Sequence, residues 1–314
     1  MWMLGELMEQ TLADSIDEEL WFGLDDTDAA DRAASESLAA SVARITGLKP
    51  FPAVARQVVA ELDSNEWSVR RVANMMGNDP SLAGMVLRVA NSSFYGGGRV
   101  SADIREAVMK VGGAKLREMV MGVATLQLLG GRGRLARKFR DHCAGTAAIA
   151  KTLASVVEED AGNLFLAGLL HDSGMLLLMD SGDFDYRAHK EQLCSASQPA
   201  EERRQLGFDH AVLGGHVLRA WGIPEPVPRL VAWHHQPVRA WSEGGQVARQ
   251  LGILRLADQL CVHMDDTEGD VRPDFEMLGS TPDAGWAGLD QYKLKRVWRI
   301  LTSARKEALS VFSW

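Results

Sequence analysis

The stretch Leu164-Phe165-Leu166-Ala167-Gly168-Leu169-Leu170-His171-Asp172 decides how this chain reads. An apolar run ends there on two ionisable side chains, where an unpaired charge is expensive. Leu164, Ala167 and His171 share one helical face, so the imidazole is expected to point where the core should be. Working outward, β-branched runs are few and strict alternation is almost absent. The text reads as helix nearly throughout. Asp79-Pro80 has the form of an N-cap followed by proline at the first helical position. Asp103 and Asp209 are further caps, and Gly112-Gly113 is a stop. Long helices are expected through Leu116–Leu126 and over about 289–311. Residues 266–288, rich in Asp, Gly, Pro and Thr, are expected to form a loop.

Composition narrows the class of protein. The chain has 314 residues, 46% of them hydrophobic and 24% charged, which suits a soluble globular protein with its own core. Its three cysteines, Cys143, Cys194 and Cys261, are scattered and odd in number. That argues against a disulfide framework and for a reducing, cytoplasmic compartment. No apolar run is expected to reach the roughly 18 residues of a membrane span, so no membrane partner is expected. The formal charge of −8 disfavours nucleic acid as a partner. From Met1 to Glu36 there are eleven acidic residues against one basic residue, Arg32. This segment reads as a solvated acidic lead-in or as an interaction arm, with Leu4, Met8, Leu12, Ile16 and Leu20 at helical spacing. The expected division is an acidic arm over 1–38, an N-terminal helical subdomain over 39–131, a second helical subdomain over 132–265, and a loop with a C-terminal helix over 266–314.

Single polar residues interrupt other apolar stripes in the same way as His171. His142 lies among Phe139, Thr146, Ile149 and Leu153. His210 lies with Leu213, Gly214, Val217 and Trp221, and His234 with Leu230 just before Pro237. Asp258 sits in the middle of the Leu251, Leu254, Cys261, Val262 face. With Asp172 and His235 this makes seven imidazoles and carboxylates at inward or helix-terminal positions, a donor set that suits a divalent metal. His189, His216 and His263 lie outside the pattern and read as ordinary histidines. Gly96-Gly97-Gly98 reads as a flexible loop, and Gly130 to Lys138 as a basic connection.

The order His142, His171-Asp172, His210, His234-His235, Asp258 resembles that of the HD superfamily of metal-dependent phosphohydrolases. A narrower resemblance runs over roughly residues 40 to 264. Leu48-Lys49-Pro50-Phe51-Pro52, Asn78-Asp79-Pro80-Ser81-Leu82, Val89-Ala90-Asn91-Ser92-Ser93-Phe94-Tyr95-Gly96, Trp221-Gly222-Ile223-Pro224 and Leu256-Ala257-Asp258 are similar to motifs of the HDOD (HD-related output domain) family. The resemblance implies an all-α fold, with a helical N-terminal subdomain packed on a degenerate HD-type bundle. It also implies one or two divalent ions (Fe, Mn, Zn or Mg) and no organic cofactor. His142, His171, Asp172 and Asp258 would hold one ion. His210, His234 and His235 would hold a second, with Asp172 bridging. Enzymes of the related HD-GYP type carry a phosphate-handling lysine after the His-Asp pair. Ser173-Gly174-Met175 puts methionine there, and no Gly-Tyr-Pro segment follows His235. The expectation is therefore a bacterial signal-transduction module that binds a signalling protein or a nucleotide, with little or no catalysis. The alternative is a metal-dependent phosphohydrolase acting on a nucleotide or cyclic dinucleotide.

Overall fold

A computed structural model describes residues 29–92, 95, 99–129, 133–186, 198–267 and 271–312. The acidic stretch before Ala29, Gly96–Gly98, Gly130–Arg132, His189 and Cys194 lie outside these residues, as does most of the expected acidic arm. Among the described residues every regular element is an α-helix, so the chain is all-α. In chain order these are α1 (Ala29–Leu48), α2 (Ala53–Leu62), α3 (Val69–Met76), α4 (Pro80–Asn91), α5 (Ile104–Val111) and α6 (Gly113–Leu128). Next come α7 (Arg134–Val156), α8 (Ala161–Leu170), α9 (Ser173–Ser181), α10 (Gln198–Leu206), α11 (His210–Ala220) and α12 (Val227–Trp233). The last are α13 (Val238–Glu243), α14 (Gly245–Asp266), α15 (Phe275–Gly279), α16 (Pro282–Ala287) and α17 (Gln291–Val311).

The helix starts follow local chemistry. Asp79 accepts from the Leu82 N–H at 3.0 Å, Asp103 from Glu106 at 2.9 Å, and Asp209 from Val212 at 3.0 Å. Each carboxylate satisfies a backbone donor that the first turn leaves without a partner. Residues 266–288 differ from the expected loop. Asp274 accepts from the N–H groups of Glu276 and Met277, both at 3.0 Å, and starts α15. Thr281 caps α16, with Pro282 at its first turn. The Asp and Thr-Pro signals there are caps, and the helices they start are too short to show a period.

The helices form two compact units, each discontinuous in sequence. One joins the residues up to Pro50 with His171–Leu251. In it α11 packs against α1, α9 and α12. Leu38, Leu176, Leu213, Val217 and Trp233 lie in its buried core. Helix α1 begins inside the stretch expected to be an acidic arm, and it is Leu38, Ala39 and Ile45 that bury its inner face.

The other unit joins Phe51–Leu170 with the chain from Gly252 onward. Helix α6 packs on α2, α4 and α8, while α7 packs on α8 and α17. A Cβ at Gly168 would come within 2.7 Å of the Ala147 Cα, so glycine is what lets α8 lie against the α7 backbone. The stretch Ala161–Ser181 is long and apolar enough to cross a membrane by length and composition, contrary to the expectation from sequence. The structure buries 83% of that window among the protein's own side chains, as for a core helix.

Candidate metal centre

In the first unit, four of the expected residues gather around a fifth, the Asp172 carboxylate. Asp172 lies in the turn between Leu170 and α9, and is buried. His171 Nε2 approaches its Oδ2 at 3.3 Å, and His210 Nε2 approaches Oδ1 at 3.3 Å. His234 Nε2 lies 3.6 Å from the same Oδ1. His235 Nε2 is 3.0 Å from His210 Nε2. Asp172, His210, His234 and His235 each offer a donor atom, and these atoms lie within 4.8 Å of one another.

The far sides of these rings are fixed as well. His210 Nδ1–H donates to Glu202 Oε2 at 2.7 Å, and the His210 backbone N–H donates to the same oxygen at 2.7 Å. Glu202 is fully buried. Its other oxygen accepts from Tyr186 Oη at 2.8 Å and from Gln198 Nε2 at 3.4 Å. His234 Nδ1–H donates to the Val231 carbonyl at 2.6 Å. These bonds settle the tautomers and aim both Nε2 atoms at Asp172. Neither Glu202 nor Tyr186 was expected from the sequence. Glu202 stands in Gln198-Pro199-Ala200-Glu201-Glu202-Arg203-Arg204, which reads as a solvated polar segment.

Burial shapes the charge of this cluster. It would raise the Asp172 carboxyl, but the His171 charge and the approach of the His171, His210 and His234 rings outweigh it and hold the carboxyl well below its usual range. Burial would lower His210, yet the Glu202 and Asp172 carboxylates push it well above 6.5. Burial lowers His234, and for His235 the charges of His234 and His210 add to burial and press it well below 6.5. His235 is half-buried and the other rings are buried.

Gly174 lies inside the first turn of α9. A Cβ there would overlap the His210 carbonyl oxygen and stand 2.8 Å from its carbon. The absence of a side chain is what allows α9 to lie this close to the start of α11. Met175, at the position of the expected lysine, is 2% exposed and is followed by the buried Leu176, Leu177 and Leu178.

The second unit holds the other two expected residues. His142 Nε2 lies 3.0 Å from Asp258 Oδ1, and its Nδ1 lies 3.0 Å from Asp265 Oδ2. The Asp258 side chain keeps 25% of its exposure, where the sequence suggested a buried carboxylate. Asp265, which the sequence reading missed, also pairs with Arg305 from α17. Cys261 Sγ lies 3.6 Å from the His142 carbonyl, and His142, Cys261 and Asp265 have donor atoms within 4.8 Å of one another. Burial would lower His142. The Cys261 sulfur and the Asp258 and Asp265 carboxylates reverse that and hold it well above 6.5. His216, read as an ordinary histidine, is buried on α11, and burial pushes it down to about 4.

The donor set of the first unit, three imidazoles and a carboxylate, fits a borderline transition ion such as Zn or Fe. Outer partners on His210 and His234 complete that fit.

Comparison with known proteins agrees with this architecture. A protein from Shewanella amazonensis SB2B, named as a candidate phosphohydrolase, superposes with a TM-score of 0.69 at 21% identity, covering 87% of this chain and 98% of that one. A candidate signal transduction protein from Marinobacter aquaeolei VT8 gives 0.63 at 22% identity, over 94% of this chain and 68% of the other. At these identities the likeness is one of fold. An uncharacterized protein of Treponema pallidum (strain Nichols) is 23% identical over 210 residues, which is 63% of this chain. The match spans 40% of the length of that curated relative. A family model for the HDOD domain matches residues 48–237, more than half of the chain. The chain belongs to the HDOD family.

Proposed function

We propose that this chain is a bacterial, cytoplasmic signalling module whose histidine–aspartate cluster holds a divalent metal as a structural or sensing element, with little or no hydrolysis. The observation that carries the proposal is the pair of outer hydrogen bonds, His210 to Glu202 and His234 to Val231. Metal-ligating histidines are oriented in this way. Asp172, His210, His234 and His235 would hold one ion. His171 is a further candidate ligand in the same unit, and His142 and Asp258 are candidates in the other. A bound ion would supply Lewis acidity at the cluster. The chain's part is to aim the rings and press His234 and His235 toward the neutral form, and His210 would give up its Nε2 proton on binding.

Met175 speaks against catalysis. A thioether carries no charge with which to hold a phosphoryl group, and this one is buried. The name of the Marinobacter protein is consistent with a signalling role, exercised through a protein partner or a nucleotide. A second reading, metal-dependent phosphohydrolysis of a nucleotide or cyclic dinucleotide, draws on the number of nitrogen and oxygen donors and on the name of the Shewanella protein.

Protein purified without chelator, analysed for metal and then assayed on bis(4-nitrophenyl) phosphate and cyclic dinucleotides with Mn²⁺, Fe²⁺ or Mg²⁺, separates the two. Stoichiometric metal without turnover is expected. Turnover that Asp172→Ala abolishes makes the chain an enzyme, and the absence of metal under every condition removes the metal reading itself.

A further inference from the structure

The second unit contains a concavity of about 620 Å³, lined by residues 272–276 and by α17. It lies beyond the residues that the HDOD family model matches. Four cations surround it: Arg272, Lys295, Arg296 and Arg299. All four are exposed, and none takes part in an ion pair among the described residues. Three of them stand on one helix, and Arg299 lies three and four residues from Arg296 and Lys295, spacings at which like charges repel by a few tenths of a kcal/mol per pair. This concentration occurs in a chain with 42 acidic residues against 34 basic ones.

Two carboxylates share the concavity. Asp274 is engaged by two backbone N–H groups at the start of α15, and Glu276 stands at the rim with no ion pair among the described residues. The floor is apolar and firm. Phe275 and Trp298 are buried and meet edge-to-face at 5.7 Å.

We propose that this concavity is a binding site for a nucleotide, whose phosphates lie among the arginines of α17 and Arg272. Guanidinium groups match phosphate oxygens in a fixed fork, and three of them at one mouth suit a di- or triphosphate better than a single anion. The volume falls in the range of small-molecule sites. The Glu276 carboxylate at the rim can accept from hydroxyl or amino groups, which a nucleoside has and inorganic pyrophosphate lacks. The cationic side chains are exposed, so binding weakens as salt is added. The site shares no residue with the histidine cluster and does not depend on a metal there.

Calorimetric titration of the full chain with ATP and CTP in EDTA, with inorganic pyrophosphate as the control, tests this. Saturable one-site binding of a nucleotide is expected, tighter than that of pyrophosphate. Arg296→Gln/Arg299→Gln should weaken it at least tenfold without changing the melting temperature, since both side chains are exposed. No saturable binding of either nucleotide in EDTA, or equal affinity in the double variant, overturns the proposal. Pyrophosphate binding as tightly as ATP overturns the nucleoside part.

Discussion

The two histidine clusters manage buried charge in opposite ways. Around Asp172 one carboxylate faces three imidazoles, with a fourth ring 3.0 Å from one of them. Two of those rings, His234 and His235, are pressed toward the neutral form. Around His142 the proportions are reversed. One imidazole lies between two carboxylates, each at 3.0 Å, and Arg305 adds a second cation. The first cluster is rich in imidazole nitrogens, two of its rings pressed toward the neutral form, and so it suits an external cation. The second already contains its own. Burial is common to both, so the ratio of carboxylate to imidazole distinguishes them.

Three experiments would break or sharpen that contrast. The largest effect is expected from Asp172→Ala, which removes the one carboxylate that three rings approach. Metal content after equilibrium dialysis should fall to background, and retained full occupancy would show that the rings alone suffice. Glu202→Gln comes next. It keeps the shape but removes the charge that sets the His210 tautomer, so metal affinity should fall about 10- to 100-fold, read by competition with a chromogenic chelator. An unchanged affinity would assign Glu202 to packing alone.

The smallest effect concerns His142 in chelated, metal-free protein. Its folded pKa lies well above 6.5, so the folded chain binds that proton more tightly than the unfolded chain. The resulting stability is complete below pH 6.5 and is lost as pH rises through the raised value. The contribution changes by at most about 1.4 kcal/mol per pH unit. Urea unfolding of His142→Gln should lack this decline on the alkaline side. If the two proteins keep parallel pH profiles, the second cluster does not hold a protonated imidazole.

Much of the fold was legible because its signals are local. Asp79, Asp103 and Asp209 announce helix starts within three residues, and the structure makes the corresponding bonds. The inward periodicity of His142, His210 and His234 was legible for the same reason, and all three are buried. Glu202 was not. It stands beside Glu201, Arg203 and Arg204, and only the packing of α10 near α11 turns it toward His210. Asp265 was hidden likewise, next to Asp266 at the end of a helix, where acidic side chains usually meet solvent. The discontinuous make-up of the units has no local signal, since segments far apart in sequence combine only through tertiary contacts.

Gly174 gives the cluster a vulnerability that its ligand set does not show. Any side chain at this position must push α9 away from the His210 backbone, and Asp172 immediately precedes that helix. A lineage that no longer needed the ion could abandon it here in one step, with every imidazole and carboxylate still in its sequence. In distant relatives, a census of ligands alone would then overcount working sites, and the residue two places after the aspartate would be the better indicator.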